Sequence, residues 1–317
     1  MTAASTKPEI VVIGPMYSAC EERLDREFIV HRLWQASDPA RFLKDVAAGA
    51  RGVTLFAPHG CPGSVIEALP QLEIIACMGA GVDKIDLDYA KARGVRVTNT
   101  PDVVTDDTAD LALALMLATE RRIAEADRFV RRFAWLKGDL PFGRALRHRK
   151  VGIVGLGRIG QAIATRCAAF GMQIAYFGPR CKADVAYAYF ADPVALADWA
   201  EILIVAAPGG PETHNLVSRD VIDALGPEGT LINIARGTLV DETALVDALA
   251  EGRLGRAGLD VYVNEPHVPE ALLTMDNVVL SPHTGSATHD TRRAMGDLTI
   301  DNLLAYFTGR PLLTPVI

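Results

Sequence analysis

The sequence predicts an α/β protein made of two Rossmann-like, doubly wound parallel-sheet domains, and three observations carry that expectation. From Glu9 onward, short apolar runs alternate with longer amphipathic ones, the pattern of βα units rather than of a sandwich or a helical bundle. The short runs are near-continuously apolar, as strands covered on both faces must be. A long helical segment then separates a first series of such units from a second one that opens at Val151.

In the first series the strands are expected at Ile10 to Ile13, Phe28 to Leu33, Val53 to Phe56, Leu72 to Ala76 and Val95 to Thr98, which are β-branched or apolar. Between them lies helix Pro39 to Ala48, with Asp38 as its N-cap. The long helix begins near Thr105, where Thr105, Asp106 and Asp107 supply a cap and first-turn acids. Leu111, Leu115 and Ala118 continue its apolar face, and it ends among Arg121 and Arg122. Strands at Val151, Gln173 to Phe177, Ile202 to Ala206, Thr230 to Ile234, Gly258 to Tyr262 and Val278 to Leu280 follow. A last helix, from about Thr288 to Phe307, is stopped by Gly309 and Pro311.

Composition removes several function classes. The 317 residues are half apolar, enough to bury two cores without disulfides or structural metal, and the net charge of −7 leaves no electrostatic footprint for nucleic acid or anionic lipid. The basic stretch Arg144 to Lys150 abuts a strand and is expected to be a solvated linker. Five cysteines, Cys20, Cys61, Cys77, Cys167 and Cys181, form neither a CxxC pair nor a zinc-spaced cluster with histidine, so no metal site is expected and a reduced, cytoplasmic setting is. The stretch Met1 to Pro8 is polar and reads as no signal peptide, and the longest apolar run, Leu111 to Ala118, is far too short for a membrane span. His31, His59, His148, His214, His267 and His289 are scattered and read as surface or capping residues without partners.

The segment Val151-Gly152-Ile153-Val154-Gly155-Leu156-Gly157-Arg158-Ile159-Gly160 runs a strand straight into GxGxxG, with the helical Gln161 to Phe170 behind it. Gly155 permits the tight turn, Gly157 lets backbone N–H groups approach a pyrophosphate, and Gly160 lets helix and strand pack closely. The helix N-terminus then faces the phosphates with the positive end of its dipole. This predicts dinucleotide binding. About 20 residues on, where an NAD site carries an acid for the ribose 2′-hydroxyl, Gly178 stands instead, followed by Pro179, Arg180 and Lys182. Two cations in place of an acid suit a 2′-phosphate, so NADP(H) is preferred, with NAD(H) as the alternative.

Three later strands end in chemistry: Ala235-Arg236-Gly237, Val263-Asn264-Glu265-Pro266 and Ser281-Pro282-His283-Thr284-Gly285. C-terminal strand ends are where open parallel sheets bind ligands. With the glycine loop, the series GLGRIG, NIARG, GLDVYVNEP and SPHTG resembles the D-isomer-specific 2-hydroxyacid dehydrogenase family over nearly the whole chain.

The resemblance implies a catalytic trio of Arg236, Glu265 and His283 in the cleft between the two domains. His283 would donate a proton to the carbonyl oxygen of a 2-oxo acid, Arg236 would hold carboxylate and carbonyl, and Glu265 would orient the imidazole and favour its protonated form. It further implies that Met78, Gly79, Ala80 and Gly81 carry the substrate carboxylate, together with Arg236 and His283. Arg158 and Ile159 would give N–H groups to the pyrophosphate. Thr108, Ala207, Pro208, Thr213, Ile234, Ala235, Arg236, His283 and Gly285 would line the cofactor, and Asp260 would accept from the nicotinamide carboxamide. The family layout implies a substrate-binding, flavodoxin-like domain of residues 1–101 plus 288–317 around a dinucleotide-binding domain of residues 102–287. It also implies a homodimer, with the segment Phe129 to Leu146, including Trp135 and Phe142, reaching a partner subunit.

The function expected is NADPH-dependent reduction of small 2-oxo acids, glyoxylate and hydroxypyruvate, to D-2-hydroxy acids. A phosphoglycerate type would more often carry an acid at Gly178, and formate dehydrogenases of this fold lack the acid at Glu265. Two alternatives stay open: an NAD-dependent enzyme for a larger acid of the phenylpyruvate or phosphoglycerate type, and a non-catalytic dinucleotide-sensing corepressor.

Overall fold

The first α/β series builds a five-stranded parallel sheet. In the computed structural model, which describes residues 7–317, its elements are β1 (Glu9–Val12), α1 (Ser18–Glu27), β2 (Ile29–Arg32), α2 (Pro39–Val46), β3 (Ala50–Phe56), α3 (Gly63–Ala68), β4 (Ile74–Met78), α4 (Leu87–Ala92) and β5 (Arg96–Thr98). The first six residues of the polar N-terminal stretch lie outside the described residues. The strand order is β2-β1-β3-β4-β5. This sheet belongs to a unit that runs to Val104 and resumes at Ser286, so the C-terminal helix His289–Phe307 is part of it. Ile300 and Leu303 of that helix cover Ile10, Val12, Ile74 and Ala76 on one face, while Leu43, Ile66 and Leu69 cover Val11, Val53 and Ile75 on the other. Central strands clothed on both faces account for the unbroken apolar runs.

The second unit, Thr105–Gly285, opens with α5 (Thr105–Glu120) and α6 (Ile123–Arg131). There follow β6 (Lys150–Val154), α7 (Arg158–Ala169), β7 (Gln173–Phe177), β8 (Ala188–Phe190), α8 (Pro193–Trp199), β9 (Ile202–Val205) and α9 (Arg219–Leu225). The chain then adds β10 (Thr230–Asn233), α10 (Glu242–Ala250), β11 (Arg256–Leu259), α11 (Glu270–Leu273) and β12 (Val278–Leu280). All neighbours in the sheet β12-β11-β10-β9-β6-β7-β8 are parallel, and the order reverses between β6 and β9, the switch point at which such sheets bind ligands. The two parallel-sheet α/β domains of the sequence reading are present.

Several boundaries differ from the sequence expectation for identifiable reasons. Phe28 caps α1 through its N–H to Leu24 O and so does not belong to β2. Leu72 closes a turn on Leu69, which delays β4 to Ile74. Strand β10 stops at Asn233, whose own side chain takes the Ala235 N–H. Strand β11 stops at Leu259 rather than Tyr262, whose N–H turns to a carboxylate.

The stretch Arg144 to Lys150 is not a solvated linker. Arg149 donates to the fully buried Glu120 at 2.7 Å and to Glu201 at 2.9 Å, and Arg144 pairs with Glu228. Of the histidines read as unpartnered, His31 contacts Glu9 at 2.9 Å and His289 contacts the Tyr17 hydroxyl at 2.9 Å.

Candidate active site

The glycine loop occupies the β6 end of the switch point, and its three glycines stand in three different surroundings. Gly155 sits at φ +96°, and a Cβ there would fall 2.6 Å from the Ala207 backbone that follows β9, so only glycine closes this turn. At Gly160 a Cβ would stand 2.1 Å from the Gly155 carbonyl oxygen, which is what brings α7 against the strand. At Gly157 a Cβ would meet nothing within 4 Å. That open ground lies at the N-terminus of α7, whose first-turn N–H groups have no acceptor within the helix. A cradle with this shape fits a pyrophosphate.

The loop after β7 is fixed by two phenols. The Tyr176 hydroxyl accepts from Lys182 N at 2.7 Å, and the Tyr189 hydroxyl donates to the buried Gly178 carbonyl at 3.1 Å. Arg180 is exposed, and neither it nor Lys182 forms an ion pair among the described residues. The Thr213 hydroxyl is turned onto the Pro208 carbonyl at 2.8 Å, which ties the two predicted cofactor residues after β9 to each other.

Arg236, Glu265 and His283 lie on three loops at the C-terminal ends of β10, β11 and β12. His283 Nδ1 lies 2.8 Å from Glu265 Oε2, and both side chains are partly exposed. With Nδ1 engaged, Nε2 is the ring nitrogen left for a ligand. His283 itself has φ +54°, a left-handed conformation uncommon outside glycine, and its N–H is held by the Asp260 carbonyl at 2.8 Å. The buried Asp260 carboxylate accepts from Thr284 N at 2.7 Å, from Thr284 Oγ1 at 3.3 Å and from Gly285 N at 2.9 Å. A carboxylate retains acceptor capacity beyond these three bonds. Thr108 from α5 packs where a Gly285 Cβ would lie, so Thr108, Asp260 and Gly285 converge.

Two residues that sequence reasoning did not single out hold these loops. Asn233 accepts from Ala235 N at 3.0 Å and donates to Arg236 O at 2.9 Å, fixing the backbone that presents Arg236 beside the buried Ile234 and Ala235. Tyr262 donates its N–H to Glu265 Oε1 at 3.1 Å. Its hydroxyl, within reach of the Leu259 and Ser281 carbonyls at 3.2 and 3.0 Å, bridges the Glu265 and His283 loops. Burial pushes that phenol up to about 12, so it stays a donor at any working pH. Gly237 completes the arrangement, because a Cβ there would meet the Tyr262 carbonyl carbon at 2.0 Å. Nothing in the sequence beyond the residue types marked these contacts.

In the other unit, the loop after β4 has its carbonyls tied inward. Gly79 O accepts from Thr100 N at 2.9 Å, Ala80 O from Asn99 Nδ2 at 2.7 Å and Gly81 O from Cys77 Sγ at 3.7 Å. In a planar trans peptide the next N–H points opposite to the carbonyl. The Ala80, Gly81 and Val82 N–H groups therefore point opposite to these tied carbonyls, in a loop that starts from the buried Met78.

The family model described as D-isomer specific 2-hydroxyacid dehydrogenase, NAD binding domain, matches residues 113–285. Among curated proteins, the chain is 49% identical to hydroxyphenylpyruvate reductase from Plectranthus scutellarioides, covering 97% of this chain and 98% of that one. It is 46% identical to 2-ketogluconate reductase from Gluconobacter oxydans, covering 99% and 100%. An NADPH-dependent glyoxylate/hydroxypyruvate reductase from Sinorhizobium meliloti, solved in complex with NADP and malonate, superposes with a TM-score of 0.91 at 42% identity, covering 98% of this chain and 97% of that one.

Proposed function

This chain belongs to the D-isomer-specific 2-hydroxyacid dehydrogenases, and we propose that within that family it is an NADPH-preferring reductase of small 2-oxo acids, glyoxylate and hydroxypyruvate, to the D-2-hydroxy acids. The observation that carries the chemistry is the 2.8 Å contact between His283 and Glu265 at the same sheet edge as Arg236 and the glycine loop. Thr105–Gly285 is the dinucleotide-binding unit, and the unit closed by the C-terminal helix binds the substrate.

The cofactor supplies the hydride. Residues of this chain do the rest. Ala80 and Gly81 N–H groups bind the substrate carboxylate, and Arg236 holds carboxylate and carbonyl. Negative charge develops on that carbonyl oxygen as it is reduced, so a fixed cation and a proton donor stabilise the transition state more than the ground state. His283 gives its Nε2 proton to the oxygen, while Glu265 fixes the ring through Nδ1. Gly155, Gly157, Arg158, Ile159 and Gly160 cradle the pyrophosphate. Asp260 accepts from the carboxamide, with Thr108, Ala207, Pro208, Thr213 and Gly285 around it. Arg180 and Lys182, both without an ion pair among the described residues, take the 2′-phosphate beside the acid-free Gly178 and Pro179.

The protein acts as a homodimer. Residues 123–142 carry a run of exposed apolar side chains in which Leu136 is 85% and Phe142 97% exposed, with Trp135 and Phe133 beside them, an apolar surface that a partner would cover. The cytoplasm is its compartment: all five cysteines are free, and no described helix is long and apolar enough to cross a membrane.

Initial rates of NADPH and NADH oxidation with glyoxylate, hydroxypyruvate, pyruvate and phenylpyruvate test the reading. Fast NADPH loss with the two small acids is expected. Turnover confined to phenylpyruvate would overturn the substrate assignment, and cofactor binding without any turnover would point to the sensing role.

A further inference from the structure

Apart from the trio and the glycine loop, the substrate-binding unit holds one cation whose environment nothing above explains. Arg292, in the first turn of the C-terminal helix, lays its guanidinium over the Phe56 ring, 4.4 Å from the centroid. It is half-buried, and burial lowers its pKa, yet the guanidinium makes no hydrogen bond or ion pair among the described residues. The same unit treats its other half-buried arginines differently. Arg23 is held by Asp297 and Asp301, and Arg32 by Glu21 and Asp25. Desolvating a cation without an anion costs free energy, so a site that keeps one stacked, fixed and unsatisfied is suited to an acceptor from outside the protein.

Its position says which acceptor. The strand order β2-β1-β3-β4-β5 reverses between β1 and β3, and Phe56 is the last residue of β3, so ring and guanidinium stand at the switch point of this sheet, the crevice where such folds take ligands. Phe56 also pairs in register with Met78, from which the proposed carboxylate loop begins, and Gly79 packs on Ala57, where a Cβ would lie 2.4 Å from the Ala57 methyl. One strand spacing, about 4.8 Å, separates the two backbones. That is comparable with the span from a carboxylate oxygen to an oxygen borne on the third carbon of an extended short 2-oxo acid. One guanidinium face is covered by the ring, and the N–H edges remain to donate.

We propose that Arg292, stacked on Phe56, is a specificity-determining residue that donates to an oxygen substituent on C3 of the substrate. It thereby favours 3-hydroxy-2-oxo acids over their deoxy counterparts. The proposal rests on the reductase reading given above and adds to it what lies beyond the carbonyl. The carboxylate is already served by the Ala80 and Gly81 N–H groups, so Arg292 is free to read the far end.

The experiment compares kcat/KM for hydroxypyruvate, pyruvate and glyoxylate, which bear a hydroxyl, a hydrogen and no C3 group respectively, in the unaltered protein and in Arg292→Leu. NADPH affinity and melting temperature are followed alongside. Loss of a charge-assisted hydrogen bond lowers kcat/KM for hydroxypyruvate roughly 10- to 100-fold, with pyruvate, glyoxylate and NADPH affinity changed no more than about threefold. Arg292→Lys, which keeps the charge but not the planar fork, gives the same ordering of substrates with a smaller loss, and serves if the leucine variant does not fold. Equal losses on glyoxylate and hydroxypyruvate, or none on either, would overturn the role. An unaltered protein that binds NADPH but reduces none of the three would instead overturn the reductase reading, and this proposal with it.

Discussion

Gly157 and Gly160 differ by three positions and by what a methyl group would meet, so a single added carbon separates binding from folding in this loop. At Gly160 the new Cβ would stand 2.1 Å from the Gly155 oxygen, and restoring a contact of about 3.5 Å requires α7 to retreat by about 1.4 Å. Overpacking of that kind costs about 1–3 kcal/mol, or roughly 2–12 °C of melting temperature for a unit of this size. At Gly157 the methyl meets no protein atom within 4 Å, and φ −74° is available to alanine, so the folded protein loses about 1 kcal/mol or less. The same methyl fills the ground proposed for the pyrophosphate, and NADPH should bind roughly 10- to 100-fold more weakly. Thermal melts without cofactor and a fluorescence titration with NADPH read the two effects separately. If Gly157→Ala melted as low as Gly160→Ala, or bound NADPH like the unaltered protein, the reasoning would be refuted.

Arg180→Ala should weaken NADPH roughly 10- to 100-fold while leaving NADH nearly unchanged, and parallel losses in both titrations would remove Arg180 from the 2′-phosphate. Glu265→Gln keeps a partner for Tyr262 N–H and for the His283 ring but loses the charge; kcat with glyoxylate should fall roughly 10- to 100-fold with NADPH affinity intact, and near-normal kcat would show that the charge is idle. His59 has its pKa lowered by burial, with Lys84 adding repulsion, so the unfolded chain takes up the proton first and stability drains as pH falls through about 6.5. His59→Phe should therefore lose less melting temperature than the unaltered protein between about pH 7.5 and about pH 5.5, and an equal loss in both would exonerate the imidazole.

What the sequence made legible were the positions at which residue type alone restricts conformation or chemistry. The glycines of the β6–α7 turn, the Asp38 cap of α2 and the apolar β strands announce themselves, because few other residues serve there. The Glu265–His283 pair was expected from resemblance, and the structure places the two side chains in contact. Asn233, Tyr262 and Arg292 stayed hidden, since an asparagine, a tyrosine or an arginine is ordinary in itself and acquires a role only from a neighbour distant in sequence. The misread linker has the same cause. Arg149 looks like one cation among several until Glu120, at the end of α5 and fully buried, turns out to be its partner. Strand β8, at the sheet edge with none of its three residues fully buried, was not expected from the sequence.

The helix that covers β1 and β4 lies at the far end of the chain, and this sets a schedule for biosynthesis. Residues up to Val104 leave the ribosome first, yet the face of Ile10, Val12, Ile74 and Ala76 has only α1, through Cys20 and Leu24, as early cover and lacks Ile300 and Leu303 until His289–Phe307 has been made. The intervening Thr105–Gly285 has all of its strands and helices within one stretch and can close while the earlier segment waits. At about 5–20 residues per second, that wait lasts roughly 10–40 s. A nascent chain of this protein thus exposes an unfinished sheet face throughout that wait. It is there that a chaperone would find it, and a chain shortened by its last helix would keep a sound nucleotide unit beside a sheet that never finishes.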